Sequence, residues 1–422
     1  MTSLNKIFQG DRVIWIVYFL LCMISLVEVY SAASTLSYKT GDFIAPLLKQ
    51  ILFLTLGTSL CVVIHKIPCR FFKVAPLIFW PLCIFLLAFT MIFSAKTNGG
   101  ARWIELPGGF TFQPSELAKG VLITMVAVIL GALQTKDGID KKAAKYVMIF
   151  TAITCGLIVT ENLSTAGILF STIFLMMFVA RVPYKQLGKI VLGILALGAF
   201  TIMMAYTLPE DSSIRQKVLH RFDTWESRLS NSNEKADGNA EEQTSKEASV
   251  RKTKGKKDFD MEKNAQEGHA YIAIASGGFW GKMPGNSVER DYLSQAYSDF
   301  IYAIIIEELG WIGGFFVAFL YIVLLFRAGR IASRCERNFP AFLCMGLAIL
   351  LTFQATINMM VAVGLFPVTG QPLPLISRGG TATIINCAYF GMILSVSRYA
   401  RRNKPEEAST MLGVSTPSSA EA

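Results

Sequence analysis

Asp299 stands in the run QAYSDFIYAIIIEELGWIGG, where a long polar stretch gives way to an apolar one. A carboxylate at the mouth of a candidate membrane helix could take a proton from an attacking hydroxyl. Keeping it there is costly enough that a partner or a function usually explains it. The competing reading is a helix-start aspartate that satisfies free backbone N–H groups. Arg102 in GGARWIELPGGF is a polar-site candidate that could equally anchor its loop at lipid headgroups. Glu116 and Lys119 in QPSELAKG are one turn apart and can pair at helical spacing, for catalysis or simply as a structural ion pair inside a bundle. In GLFPVTGQPLPLISRGG, Pro367, Gly370, Pro372 and Pro374 interrupt helical structure, so with Thr369 and Ser377 they shape a groove rather than react; Arg378 adds a charge beside it.

The elements that must position these residues follow from composition. The chain has 422 residues, 53% hydrophobic and 17% charged, and a mean hydropathy of +0.46. No soluble core needs so many apolar runs, and the class is an all-α polytopic membrane protein of about ten transmembrane helices. The runs fall at residues 13–31, 44–64, 74–93, 115–133, 146–160, 165–180, 190–208, 298–326, 341–363 and 379–397. Residues 1–208 then hold the first seven spans, 209–297 a large extracytoplasmic loop between spans seven and eight, 298–397 the last three spans and 398–422 a tail. The first run is long enough to be an uncleaved signal anchor, although Ser31, Ala32 and Ala33 mimic a cleavage site.

The net charge of +10 is an orientation signal rather than a nucleic-acid footprint. Lys66, Arg70 and Lys73, Lys141, Lys142 and Lys145, Arg181, Lys185 and Lys189, Arg327, Arg330 and Arg334, and Arg398, Arg401 and Arg402 occupy alternate connections. The intervening short connections hold only Lys39, Lys96, Arg102 and Arg378, which puts both termini in the cytoplasm. The 8 cysteines fall in spans or cytoplasmic loops and suggest no disulfide framework, and the 3 histidines are too scattered for a metal site.

Within the large loop, SIRQKVLHRFDTWESRL has the spacing of an amphipathic surface helix, and AYIAIASGGFWGKMPGNS that of a re-entrant or interfacial segment. Residues 230–266 are Lys/Glu/Asn/Ser-rich, predict a disordered insertion, and contain a chance D-x-D string at Asp258 and Asp260. Trp103 and Trp280 read as interfacial anchors. Glu307 and Glu308 read as bundle-packing residues, Glu307 lying nearer the face of Asp299 and Glu308 nearly opposite.

On this topology Arg102, Glu116, Lys119, Asp299 and the 364–380 connection all converge on the outer side of the bilayer. An outer site has no ATP, and the chain carries no G-x-x-x-x-G-K-[ST] loop to use it from inside. Energy must come with the substrate or from a gradient; a lipid-linked pyrophosphate brings both a leaving group and an anchor.

GARWI, FQPSELAK, SDFIYAIIIEELG and GLFPVTGQPLPLISRGG occur in order across nearly the whole chain. With them the sequence resembles the shape, elongation, division and sporulation (SEDS) family, the FtsW/RodA proteins. The resemblance implies a peptidoglycan glycosyltransferase of the bacterial inner membrane that polymerises lipid II at the outer face. It further implies a class B penicillin-binding protein as partner, within the division or elongation machinery. The family's catalytic aspartate falls on Asp299, with Arg102 and Lys119 as candidates for the leaving pyrophosphate and Glu116 holding Lys119. A divalent cation could share that role, although no ligand set or other cofactor is evident. The chain departs from the family pattern at Asn162, where ENLSTA replaces P-D-L-G-T with Glu161 as the neighbouring carboxylate, and at Arg378, which replaces a tyrosine. A lipid II flippase and a non-catalytic scaffold for the penicillin-binding protein are the alternatives. VTGQPLP leans toward elongation and AIIIEELGWIGG toward division, which is preferred.

Overall fold

The computed structural model describes residues 8–32, 45–93, 104–106, 110–135, 138–207, 265–293 and 296–402. The long helices are α1 (Arg12–Ala32), α2 (Ala45–Lys66), α3 (Ala75–Phe93), α4 (Pro114–Ala132), α5 (Lys141–Glu161), α6 (Leu163–Val179), α7 (Tyr184–Thr207), α8 (Ala265–Gly277), α9 (Ile301–Ala332), α10 (Asn338–Ala362) and α11 (Thr381–Arg402). Seven helices among the described residues, α1 to α5 with α9 and α10, are long and apolar enough to cross a bilayer, α3 counted with the short Cys69–Phe72 turn before it. Leu163–Val179 is shorter but apolar, and α7 and α11 occupy the remaining expected positions. Helices dominate because backbone polar groups in lipid must be satisfied within the segment.

Local signals set the helix starts. Asp11 Oδ1 accepts from the N–H groups of Val13 and Ile14 ahead of α1, and Asp140 accepts from Lys142 N ahead of α5. Pro114 opens α4, where a missing N–H costs nothing. The core runs through the first turns of α9, where Ile301, Ala303, Ile304, Ile305 and Ile306 are fully buried against α10 and α8. Large apolar side chains such as Leu77, Ile92, Leu192, Phe319 and Phe326 are exposed, as expected of a surface solvated by lipid rather than water. Small residues let α2 and α11 approach closely: a Cβ on Gly57 would lie 2.6 Å from Cys387 Sγ, and one on Gly391 would lie 3.0 Å from the Cys61 carbonyl.

Three boundaries differ from expectation. α9 starts at Ile301, runs to Ala332, and is broken at Gly310 (φ 70°, ψ −174°). Ala265 and Gln266, placed by sequence in a disordered insertion, begin α8; residues 230–264 of that insertion and the amphipathic SIRQKVLHRFDTWESRL segment lie outside the described residues. A small antiparallel hairpin, β1 (Ile104–Leu106) with β2 (Phe110–Phe112), leads into α4 in the register Ile104 to Phe112. Thr381 Oγ1 donates to Thr111 O at 2.9 Å and ties this hairpin to the start of α11.

Candidate functional site

Asp299 lies one residue before the N-cap of α9, and that cap, Phe300, makes no side-chain cap hydrogen bond. The half-buried carboxylate accepts from Ser298 Oγ through Oδ1 at 2.9 Å. Its backbone carbonyl accepts from Asn358 Nδ2 at 2.9 Å, which fixes where the side chain starts. Asn358 also donates to Gln371 O at 2.7 Å, so α10 clamps the turn before α9 to the irregular 364–380 connection.

That connection has no regular ladder, and its polar backbone groups need partners inside the bundle. They come from several helices. Gln354 Nε2, one turn before Asn358, donates to Pro372 O at 3.2 Å; Tyr321 OH of α9 donates to Pro374 O at 2.5 Å; Ser25 Oγ of α1 donates to Ile376 O at 2.9 Å. Gln371 Nε2 donates to Thr165 Oγ1 of α6 at 2.7 Å. Ser377 Oγ donates to Ser298 O at 2.6 Å and accepts from Leu373 N, so Ser377 is a fastener between the connection and the Asp299 turn. Arg378 N donates to Tyr297 O at 2.9 Å, and its guanidinium lies 5.3 Å from the centre of the Tyr297 ring. Thr369 is buried at the start of the same connection.

Glu116 and Lys119 form an ion pair at 2.8 Å, but both side chains are enclosed, at 1% and 0% exposure. Lys119 Nζ also donates to Gln354 Oε1 at 3.1 Å. Tyr389 OH of α11 donates to Glu116 O and accepts from Gly120 N. The pair therefore reaches the 364–380 connection through Gln354, and does not open onto a surface as a direct anion contact would require. Arg102 and Trp103 lie outside the described residues, while Trp280 is 77% exposed.

Glu307 and Glu308 are fully buried, and each has a partner on another segment. Glu307 binds Lys282 Nζ at 2.7 Å, Val288 N at 3.0 Å and Ser287 Oγ. Glu308 accepts from Ser31 Oγ of α1, and Arg290 Nη1 stands 3.8 Å away. Just beyond them α9 breaks at Gly310. There the carbonyls of Glu307 and Glu308, freed from the helix, accept from Lys282 N and Met283 N. A Cβ on Gly281 would sit 2.2 Å from Glu308 O, so two glycines let the backbones meet. The segment read as re-entrant or interfacial is thus built into the first turns of α9.

Asn162 takes a structural role at the family's aspartate position. Its Oδ1 accepts from Ser164 N and Thr165 N and caps α6, something an aspartate would also do. Glu161 is buried and accepts from Thr90 Oγ1 at 2.6 Å. Sequence reasoning missed Gln354 and Asn358, two amides four residues apart in an apolar run, and Glu28, a lone acid inside the first run; the rule applied to Asp299 would have flagged all three. Among the described residues no group of three His, Cys, Asp or Glu side chains could hold a metal ion.

A helical membrane protein with a half-buried carboxylate beside a polar, hydrogen-bonded connection is the class these features define. The FtsW/RodA/SpoVE family model, described as a cell cycle protein, matches residues 11–240 and 251–402, and the chain belongs to that family. A Geobacter metallireducens protein named "Probable peptidoglycan glycosyltransferase FtsW" is 28% identical over 401 residues, covering 94% of this chain and 96% of its own. A Coxiella burnetii protein of the same name is 28% identical over 396 residues, 91% of this chain and 95% of its own. Among solved structures, a chain of a peptidoglycan synthase complex superposes with a TM-score of 0.69 at 22% identity, covering 93% of this chain and 99% of that one. The Thermus thermophilus rod shape determining protein RodA does so with 0.62 at 22% identity, covering 93% and 98%. These structures share the fold.

Proposed function

We propose that this chain is a peptidoglycan glycosyltransferase that polymerises lipid II at the outer face of the bacterial inner membrane, both termini being cytoplasmic. Asp299 is its general base. The carboxylate takes the proton of the acceptor's N-acetylglucosamine 4-hydroxyl as that oxygen attacks the anomeric carbon of the donor's N-acetylmuramic acid. The bond to undecaprenyl pyrophosphate breaks from the opposite side, so an α-linked donor gives a β-linked strand with inversion and no covalent enzyme intermediate. Arg378, held over Tyr297, and Arg102 supply positive charge for the departing pyrophosphate. Glu116 and Lys119 act through Gln354 as positioning residues, and Thr369 and Ser377 shape the substrate groove.

The observation that carries this reading is the anchoring of the Asp299 turn. Asn358 and Ser377 hold its backbone from two elements, leaving the carboxylate half-exposed on a rigid support. The names of the relatives favour the same reaction, and the description of the family model as a cell cycle protein favours a division role. The solved synthase complex, described as coordinating polymerization and crosslinking, favours a class B penicillin-binding protein as partner, within a larger division assembly. A flippase would use Glu116, Lys119, Glu307 and Glu308 to line a path, yet each is enclosed and occupied by a local partner. Proteoliposomes carrying fluorescent lipid II separate these readings. Strand synthesis without protein-dependent translocation is expected; translocation without strands overturns the proposal.

A further inference from the structure

At the end of the bundle opposite Asp299, the ends of α1, α9 and α11 enclose a cavity of about 240 Å³ lined by Asp11, Arg12, Arg327, Ile331, Arg334, Ser397 and Ala400. Arg327 lies near the far end of α9 from Asp299, beyond the Gly310 break, and the segment between that break and Arg327 alone spans roughly 25 Å at a rise of about 1.5 Å per residue. Three guanidiniums border this space against one carboxylate, and that carboxylate is fully committed. Asp11 Oδ2 holds Arg327 Nη2 at 2.5 Å, while Oδ1 caps Val13 and Ile14 and accepts from Arg327 Nε at 3.3 Å. Asp11 N donates to Ser397 Oγ at 2.9 Å, so the three helix ends are locked together around the cavity. Arg12 and Arg334, both exposed, form no ion pair among the described residues. Positive charge is therefore concentrated on a built wall, and Ile331 and Ala400 add apolar surface beside it.

We propose that this cavity binds a phosphate anion, chiefly the phosphodiester of an anionic lipid headgroup, between Arg12 and Arg334. Guanidinium forks match phosphate oxygens in paired hydrogen bonds. Arg327, already neutralised by Asp11, shapes the wall and fixes the spacing of the other two. Arg12 and Arg334 have no role in the glycosyltransferase site, so this proposal stands or falls apart from that reading.

The test is binding of short-chain phosphatidylglycerol to the full chain in a neutral detergent, followed by native mass spectrometry, with phosphatidylcholine as the uncharged comparison. Arg12→Gln/Arg334→Gln is expected to weaken phosphatidylglycerol binding by about tenfold or more, because both forks are lost. Arg330→Gln/Arg398→Gln removes the same charge from the same end but outside the cavity, and should cost about threefold or less. All four side chains are at least partly exposed, so folding is retained, and Arg334→Gln alone reports the same site with a smaller loss. Competition by millimolar inorganic phosphate that depends on Arg12 and Arg334 would make a free phosphate the occupant of the same site. Equal weakening by the two double variants, or no preference of wild type for phosphatidylglycerol over phosphatidylcholine, overturns the proposal.

Discussion

Lys119→Met removes a charge whose environment leaves no substitute. The ammonium is fully buried, with Glu116 Oε1 at 2.8 Å and Gln354 Oε1 at 3.1 Å. Glu116 Oε2 has no hydrogen-bond partner among the described residues, so Lys119 is what makes the enclosed carboxylate tolerable. Breaking a buried pair from one side costs about 3–5 kcal/mol, because the surviving charge stays desolvated and uncompensated. Removing both charges is a different perturbation, since the cost of burying two ions offsets most of their attraction. Glu116→Gln/Lys119→Met should therefore recover most of the loss. The residue, about 1–3 kcal/mol, arises at Gln354 Oε1, which keeps its buried position without a donor. The assay is thermal inactivation of purified protein in one detergent, ranked by unfolding rate because membrane proteins seldom refold on cooling. The expected order is wild type, then the double variant, then Lys119→Met well below both. A Lys119→Met protein within about 1 kcal/mol of wild type, or a double variant as unstable as the single, would refute the account of the pair.

Other consequences follow from the same contacts. Gly281→Ala forces a Cβ to within 2.2 Å of the Glu308 carbonyl at φ +79°, and adds about 1–2 kcal/mol for the left-handed backbone; strongly lowered thermal stability is expected, and a wild-type melt would remove the Gly281–Gly310 contact from the account. Asn358→Leu deletes two hydrogen bonds, to Asp299 O and Gln371 O, and should lower strand synthesis by about tenfold or more through lost positioning; unchanged turnover in a folded variant would show that the Asp299 turn holds itself. Arg378→Tyr should raise the lipid II concentration needed for half-maximal rate more than it lowers the maximal rate, and unchanged binding and turnover would withdraw Arg378 from pyrophosphate recognition. Deleting residues 230–262, short of α8, should leave polymerisation intact; loss of activity with normal expression would give that insertion a role.

What the sequence disclosed was governed by the range of the forces involved. Apolar runs are local patterns imposed by the bilayer, so helices at the expected positions, seven of them long and apolar enough to span among the described residues, and the irregular character of the 364–380 connection were legible. Asp299 stood out because a lone carboxylate at a span's edge is expensive. The partners of that turn were not legible, because Asn358 meets the Asp299 carbonyl 59 residues away and Lys119 meets Gln354 across 235. Such contacts depend on how helices cross, which no local periodicity encodes. The partners of Glu307 (Lys282, Ser287 and Val288) and of Glu308 (Ser31) were not legible either, because they lie on other segments, and neither was the Gly310 break, which hands the carbonyls of both residues to the backbone of Lys282 and Met283. Lys119 was weighed both as a charge for the leaving pyrophosphate and as half of a structural ion pair, and its enclosure and its contact with Gln354 were beyond what spacing alone can give.

The most direct test is synthesis of glycan strands from lipid II by the purified protein with its class B penicillin-binding protein, that partner's transpeptidase being blocked. Wild type is compared with Asp299→Asn, which keeps the shape of the side chain and its place beside Ser298 Oγ. The account predicts strands from wild type and none from a folded, partner-bound Asp299→Asn protein. Strands of equal yield from both would contradict Asp299 as the base.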